Sequence, residues 1–204
     1  MESTVKSWGR FASQAGFTLT ELLVVVAIIS IVVGLSIPNF IRTIDNTKLK
    51  AATQKLAAAY QDARLRATQT NTPYEVLLSA AGVTPSQVCV DLNGDGVCGA
   101  GDPVTVFPVQ VSLNNAGVPL GLNAAELGFT PSLIDQTQGI SWNGYGIPCQ
   151  RSSSAAPCAT VAGWVQYLQL RRSGGDVLYA AVAVSPTGRI KTWMYDPSGN
   201  GNWF

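Results

Sequence analysis

Gly16-Phe17-Thr18-Leu19-Thr20-Glu21-Leu22-Leu23-Val24-Val25-Val26-Ala27-Ile28-Ile29 opens the stretch whose reading decides the fold, and Ser30-Ile31-Val32-Val33-Gly34-Leu35-Ser36-Ile37 completes it before Pro38. The run holds about twenty apolar residues, the length a helix needs to cross a bilayer. Glu21 interrupts it. No Lys or Arg lies in the span to pair with this carboxylate, and a lone acid in hydrocarbon is costly. Its counter-charge has to come from outside the span. Glu21 is therefore a candidate assembly residue rather than a catalytic one.

The segment ahead of the run, Met1 to Gly16, is short and polar and carries Lys6 and Arg10. A secretory signal peptide is cut behind its apolar region. Here the small residue, Gly16, stands in front, and Ser36-Ile37-Pro38-Asn39-Phe40 leads into a further helical pattern. Gly16, Phe17, Thr18, Leu19 and Glu21 together resemble the head of a type IV prepilin, with Thr20 in place of the more usual Ile or Val. The resemblance implies cleavage between Gly16 and Phe17 by prepilin peptidase and N-methylation of Phe17. It also implies an apolar helix that stays on the mature chain in the inner membrane, with the globular domain outside the cytoplasm. Glu21 would then meet the N-terminal amine of a neighbouring subunit in a helical filament. An ordinary signal anchor with a stray Glu is disfavoured by the cost of that acid.

A chain of 204 residues has room for one anchor helix and one modest globular domain. Charged residues make up 12%, well below the usual quarter, as an anchor and a Ser/Thr/Gly/Asn-rich surface would leave them. The leader takes Glu2, Lys6 and Arg10, after which basic and acidic side chains are equal in number. No strong field toward nucleic acid or anionic membrane is implied. The chain has no His, so His-based triads, metal ligands and pH switches are excluded, and an enzyme is the remotest reading. No organic cofactor is expected.

Beyond the span, Ile41, Ile44, Leu49, Ala52, Leu56, Ala59, Tyr60, Ala63 and Ala67 recur at helical spacing, with Arg42, Asp45, Lys48, Lys55 and Asp62 mostly on other faces. Pro38 should kink or loosen the helix, and Thr72-Pro73 should end it. Strands then follow at Tyr74 to Leu78, Val88 to Val90, Val104 to Val111, Trp164 to Arg171, Val177 to Val184 and Arg189 to Tyr195, with a weaker candidate at Ile140 to Trp142. The expected organisation is a leader (1–16), a membrane half of the helix (17–38), an amphipathic half (39–72) and a β-rich domain (73–204). The fold class is α+β: a long N-terminal helix packed on antiparallel sheet, pilin-like.

Cys89, Cys98, Cys149 and Cys158 form two pairs, each nine positions apart. An even count outside the cytoplasm reads as disulfides. Of the three connectivities, Cys89–Cys98 with Cys149–Cys158 is preferred because both closures are local. Between the first two lies Asp91-Leu92-Asn93-Gly94-Asp95-Gly96-Val97-Cys98-Gly99-Ala100-Gly101-Asp102. Oxygen side chains at its positions 1, 3 and 5, Gly at 6 and an acid at 12 match a calcium loop. One Ca²⁺ would take Asp91, Asn93, Asp95, the Val97 carbonyl and Asp102. Strands rather than helices flank the loop, and a plain Asn-Gly/Asp-Gly turn fits the same residues.

Ala63-Arg64 with Ala67, Asn71-Thr72-Pro73, and Ser185-Pro186-Thr187-Gly188-Arg189-Ile190 with Lys191 resemble the H-type pseudopilin and FimT-like minor pilin family. That resemblance implies a subunit of a type II secretion pseudopilus or, alternatively, a minor pilin that contacts DNA during uptake. Arg171, Arg172, Arg189 and Lys191 are the candidate DNA contacts, expected in one patch and salt-sensitive in binding. Charges that merely solvate strand faces are the commoner outcome.

Overall fold

The computed structural model describes residues 17–79, 85–115, 117–118, 121–133, 139–151, 156–158, 160–172, 174–196 and 201–204. Gly16 and the leader lie outside them. Two units share the chain, Met1–Arg42 and Thr43–Phe204.

The first unit contains the start of helix α1, which runs over Leu19–Thr70 and continues through position 38 as helix. Its described side chains from Phe17 to Ile37 are all exposed. That exposure suits a span whose solvent is lipid. The polar groups within it are satisfied locally: the Ser30 hydroxyl donates to the Val26 carbonyl and the Ser36 hydroxyl to the Val32 carbonyl, both at 2.8 Å.

In the second unit, the remainder of α1 packs on two antiparallel sheets. Leu49, Ala52, Leu56, Tyr60, Ala63 and Ala67 are all but fully buried, a stripe at i, i+3, i+4 and i+7. The predicted stripe is too long at its start: Ile41 and Ile44 are exposed, and Asp45, expected on a polar face, is 6% exposed.

Sheet 1 has the order β3-β2-β1-β6-β7-β8, where β1 is Tyr74–Leu78, β2 Gln87–Asp91, β3 Val104–Val106, β6 Ile140–Trp142, β7 Pro148–Gln150 and β8 Thr160–Val161. Sheet 2 has the order β12-β11-β10-β9-β4, where β4 is Val111–Leu113, β9 Trp164–Arg171, β10 Val177–Val184, β11 Ile190–Asp196 and β12 Asn202–Trp203. A two-residue strand, β5 (Ser132–Leu133), pairs parallel with β9. The predicted strand Val104 to Val111 is two strands in two sheets. Pro108 lies between them, has no amide to give a ladder, and turns the chain so that the Val111 amide reaches the Pro108 carbonyl at 2.8 Å.

One core joins all three layers: Leu56 and Tyr60 from α1, Val76, Val88 and Trp142 from sheet 1, Leu168, Leu170 and Val182 from sheet 2. The outer face of sheet 2 carries a second, smaller cluster of Val165, Tyr167, Ala181 and Ala183. Leu122 and Trp203 close it, so the glycine-rich tail docks through Trp203 while Phe204 stays exposed. Leu122 enters just ahead of α2 (Ala124–Leu127), a single turn with a complete capping box between Asn123 and Glu126.

Each end of the packed helix is keyed to the sheets. Near its start, Asp45 lies 3.7 Å from both Lys48 Nζ and Arg172 Nε, and Arg172 Nη2 donates to Asn46 Oδ1 at 3.3 Å. Near its end, Arg64 Nη1 donates to the Gly188 carbonyl at 2.8 Å, and the guanidinium sits 5.7 Å from the buried Trp142 ring centroid. Gly146 and Gly188 both have positive φ, and a Cβ on either would press on Arg64.

Candidate functional site

The head of α1 carries the strongest sequence signal. Phe17 is 79% exposed. The Thr18 hydroxyl accepts from the Glu21 amide at 3.2 Å, and the Thr18 carbonyl accepts from the amides of Glu21 and Leu22 at 3.1 Å each. Thr18 is thus the N-cap and Glu21 the third helical residue, the Thr-x-x-Glu pattern of a capping box. A carboxylate there sits among the unpaired amides of the first turn, at the positive end of the helix dipole. The sequence reading missed this support within the chain and left Glu21 wholly dependent on an outside partner. The signal was available: Thr three residues before an acid, ahead of an apolar run. Gly16, the predicted cleavage residue, falls outside the described residues.

The Asp91–Asp102 stretch links β2 to β3 and is a loop built on its own amides. Asp91 accepts from the amides of Gly94 at 2.7 Å and Gly96 at 2.9 Å. Asp95 accepts from the Val97 amide at 2.9 Å and from Asn93 Nδ2 at 2.8 Å. Asp102 accepts from the amides of Leu92 at 2.9 Å and Gly99 at 2.8 Å. These two amides hold the Asp102 carboxyl below its ordinary value. Among the described residues no group of three or more Asp, Glu, His or Cys side chains gathers as a metal shell. Each of the three carboxylates is held by main-chain amides of the stretch. Each carboxylate oxygen still has a second lone pair, so bonding to amides leaves coordination chemically open.

The alternation of sheet 1 sends Val76, Val88, Ile140 and Trp142 toward α1 and Glu75, Cys89, Asp91, Ser141 and Cys149 to the other face. Strand register aligns Asp91, Glu75, Ser141 and Cys149 as a row across four strands. Disulfides join Cys89 to Cys98 and Cys149 to Cys158, closing a loop at each end of this face. Glu75 is 7% exposed, and its counter-ion is Arg151 Nη1 at 3.9 Å, from the second loop. Arg151 Nε is itself held by the Ala156 carbonyl at 2.7 Å, within the same disulfide ring. Burial pushes the Glu75 carboxyl up, against the pull of Arg151, and Asp91 across the strand adds to the rise. Nothing in the sequence pattern marked this pair.

The four cations assigned to one DNA-binding patch do not lie together. Arg171 pairs with Val177 at the start of β10, whereas Lys191 pairs with Ala183 near its end. Six residues of strand separate the two sites, about 20 Å. Arg172 is further committed to Asp45 and Asn46. Arg189 and Lys191 remain together at the head of β11, with Lys191 Nζ 5.3 Å from the Trp193 ring centroid.

Among the described residues one helix is long and apolar enough to cross a membrane, and it is α1. Comparison with curated proteins finds no match, and comparison with solved structures finds none. The family model described as the prokaryotic N-terminal methylation motif matches residues 11–37. That span covers the leader end, Gly16, Phe17, Glu21 and the whole apolar run, so by its head the chain is similar to type IV pilin-like proteins and fits a single-pass inner-membrane anchor.

Proposed function

We propose that this chain is a structural subunit of a pilus-like filament, processed by prepilin peptidase and assembled through α1. One observation carries the reading: the methylation motif over residues 11–37 coincides with the apolar start of a helix whose described side chains up to Ile37 are exposed and whose third residue is an acid. Cleavage after Gly16 places the new amine on Phe17, and in a filament the Glu21 of one subunit receives the amine of the next. A buried charge with its partner removed is expensive, so the pairing specifies register as well as contact. The resemblance to H-type pseudopilins favours a type II secretion pseudopilus. A minor pilin of a DNA-uptake pilus is the second reading. Splitting the four cations weakens it, because affinity for phosphates grows with the number contacted at one site. Calcium in the 91–102 loop belongs to this proposal as an accessory ion, supported by ligand spacing alone.

The test is the N-terminus and the assembly of the full-length protein. Mass spectrometry of filament-associated material should give an N-methylated Phe17. Glu21→Ala should insert in the membrane normally and be depleted from co-purified filaments. An intact Met1 in assembled material, or wild-type incorporation of the variant, would overturn the reading.

A further inference from the structure

Sheet 2 ends in a strand that is only half covered. On its outer side β11 pairs with β12 at Tyr195↔Trp203 and Asp196↔Asn202, and Met194 and Phe204 exchange amide–carbonyl bonds at 3.0 Å in both directions. Before Met194 no described strand lies against that edge. Main-chain groups of an antiparallel strand alternate between its two sides. The Arg189 carbonyl faces β10, where it accepts from the Ser185 amide at 2.8 Å, and Met194 faces β12. The amides and carbonyls of Ile190 and Thr192 therefore point out from the open edge. Such an edge is a ready template for an added strand.

The side chains beside it carry a consistent chemistry. Arg189, Lys191 and Trp193 fall at alternate positions and share one face. Arg189 is exposed, and neither it nor Lys191 has an ion-pair partner among the described residues. A second copy of this chain is a poor occupant, since two such edges would bring their cations together. Seven of the described acids are also spent elsewhere: Asp45, Asp62 and Glu75 in ion pairs, Asp91, Asp95 and Asp102 on loop amides, Glu126 in the cap of α2. Nucleic acid is disfavoured too. Two cations hold few phosphates, and open amides at a strand's spacing match a peptide backbone. We infer that the Ile190–Trp193 edge receives an extended segment of another protein, with acidic side chains at alternate positions opposite Arg189 and Lys191 and an apolar one against Trp193.

The edge lies far in sequence from α1, so the experiment reads it whether or not the chain enters a filament. Full-length protein in detergent micelles is titrated into a fluorescein-labelled Val-Val-Asp-Val-Asp-Val peptide, which in antiparallel pairing sets Val against Trp193 and the two Asp against Lys191 and Arg189, and followed by anisotropy. The acidic peptide should bind at least about tenfold more tightly than its Lys-for-Asp counterpart, the size expected of two cross-strand charge pairs. N-methylating alternate peptide amides should abolish binding, because the edge then loses its hydrogen bonds. Lys191→Glu should weaken binding by about tenfold, and Arg171→Glu, at the other end of β10, should leave it within about twofold. Equal loss from Arg171→Glu, or full binding of the N-methylated peptide, would reduce the effect to bulk charge and overturn the inference. So would a single-stranded 12-mer DNA that displaces the peptide and binds more tightly.

Discussion

The two disulfide loops have the same spacing, sit on the same face of sheet 1, and work on different physics. The Cys89–Cys98 loop turns inward: Asp91 and Asp95 accept from main-chain amides inside the ring, and Asp102 just beyond it accepts from the amides of Leu92 and Gly99. The Cys149–Cys158 loop turns outward, carrying Arg151 onto Glu75 of β1, two strands away from β7. Their acids accordingly lean in opposite directions. Amides favour the charged form of Asp102, and burial favours the neutral form of Glu75. Covalent closure alone does not tell what a loop contributes. What matters is whether its polar groups are satisfied inside the ring or across it.

The largest expected effect comes from breaking the outward loop at its charge. Arg151→Ala leaves Glu75 buried with no counter-ion, which should cost about 3 kcal/mol, read as a loss in chemical denaturation. Glu75→Leu combined with Arg151→Met should recover most of it, since an apolar pair of similar volume carries no desolvation penalty. If the double variant is as unstable as Arg151→Ala, packing rather than charge holds the pair.

Next are the disulfides. Opening either ring by paired Cys→Ser substitution should cost about 2–3 kcal/mol on loop-closure entropy alone, so length predicts no difference between them. The comparison predicts one. In the Cys149→Ser/Cys158→Ser background, Arg151→Ala should cost clearly less than in the wild type, because Arg151 has already lost its fixed position. In the Cys89→Ser/Cys98→Ser background its cost should be unchanged. Equal costs in all three backgrounds would sink the distinction.

The pH dependence sharpens the same contrast. A carboxyl raised on folding contributes stability below its unfolded value, near 4.5 for Glu75, and loses it as pH rises through the folded value. A carboxyl lowered on folding, as Asp102 is from 3.8, contributes above that value and loses it as pH falls through the depressed folded one. Melting Arg151→Ala between pH 4 and 8 should therefore show its deficit shrinking toward the acid end. Asp102→Asn should flatten the acid limb below about pH 4 instead.

The smallest effect expected is that of calcium. Amides already hold the loop's carboxylates, so the ion has little left to order. Millimolar Ca²⁺ against chelator should raise the melting temperature by only about 2 °C, and Asp95→Ala should remove that rise. Identical melts would leave the loop as a disulfide-closed turn.

Much of this was legible in the chain. Tyr74–Leu78, Trp164–Arg171 and Val177–Val184 are found as strands with the bounds read from their β-branched and aromatic runs. The Val104 to Val111 run misled because its residues suit strand throughout; only Pro108 marked the break. Strands of two or three residues such as β7 and β8, and a helix of one turn, are shorter than any period that could reveal them. The cation patch failed for a geometric reason. In a meander the end of the first strand and the start of the third lie at opposite ends of the second, so Arg171 and Lys191 could have been separated from strand count alone. The Asp45–Arg172 and Glu75–Arg151 pairs were invisible because the partners are distant in sequence.

The two keys on the packed helix have a mechanical consequence. Asp45 and Arg64 are nineteen residues apart, about 28 Å of helix, and each ties α1 to the sheet 2 strands at a hairpin turn. A pull along the axis of this segment loads both anchors together with the whole buried stripe between them, in shear. Nothing can peel from one end while the other still holds. An element so fastened transmits tension without lengthening, the way a rivet at each end turns a strip into a strut.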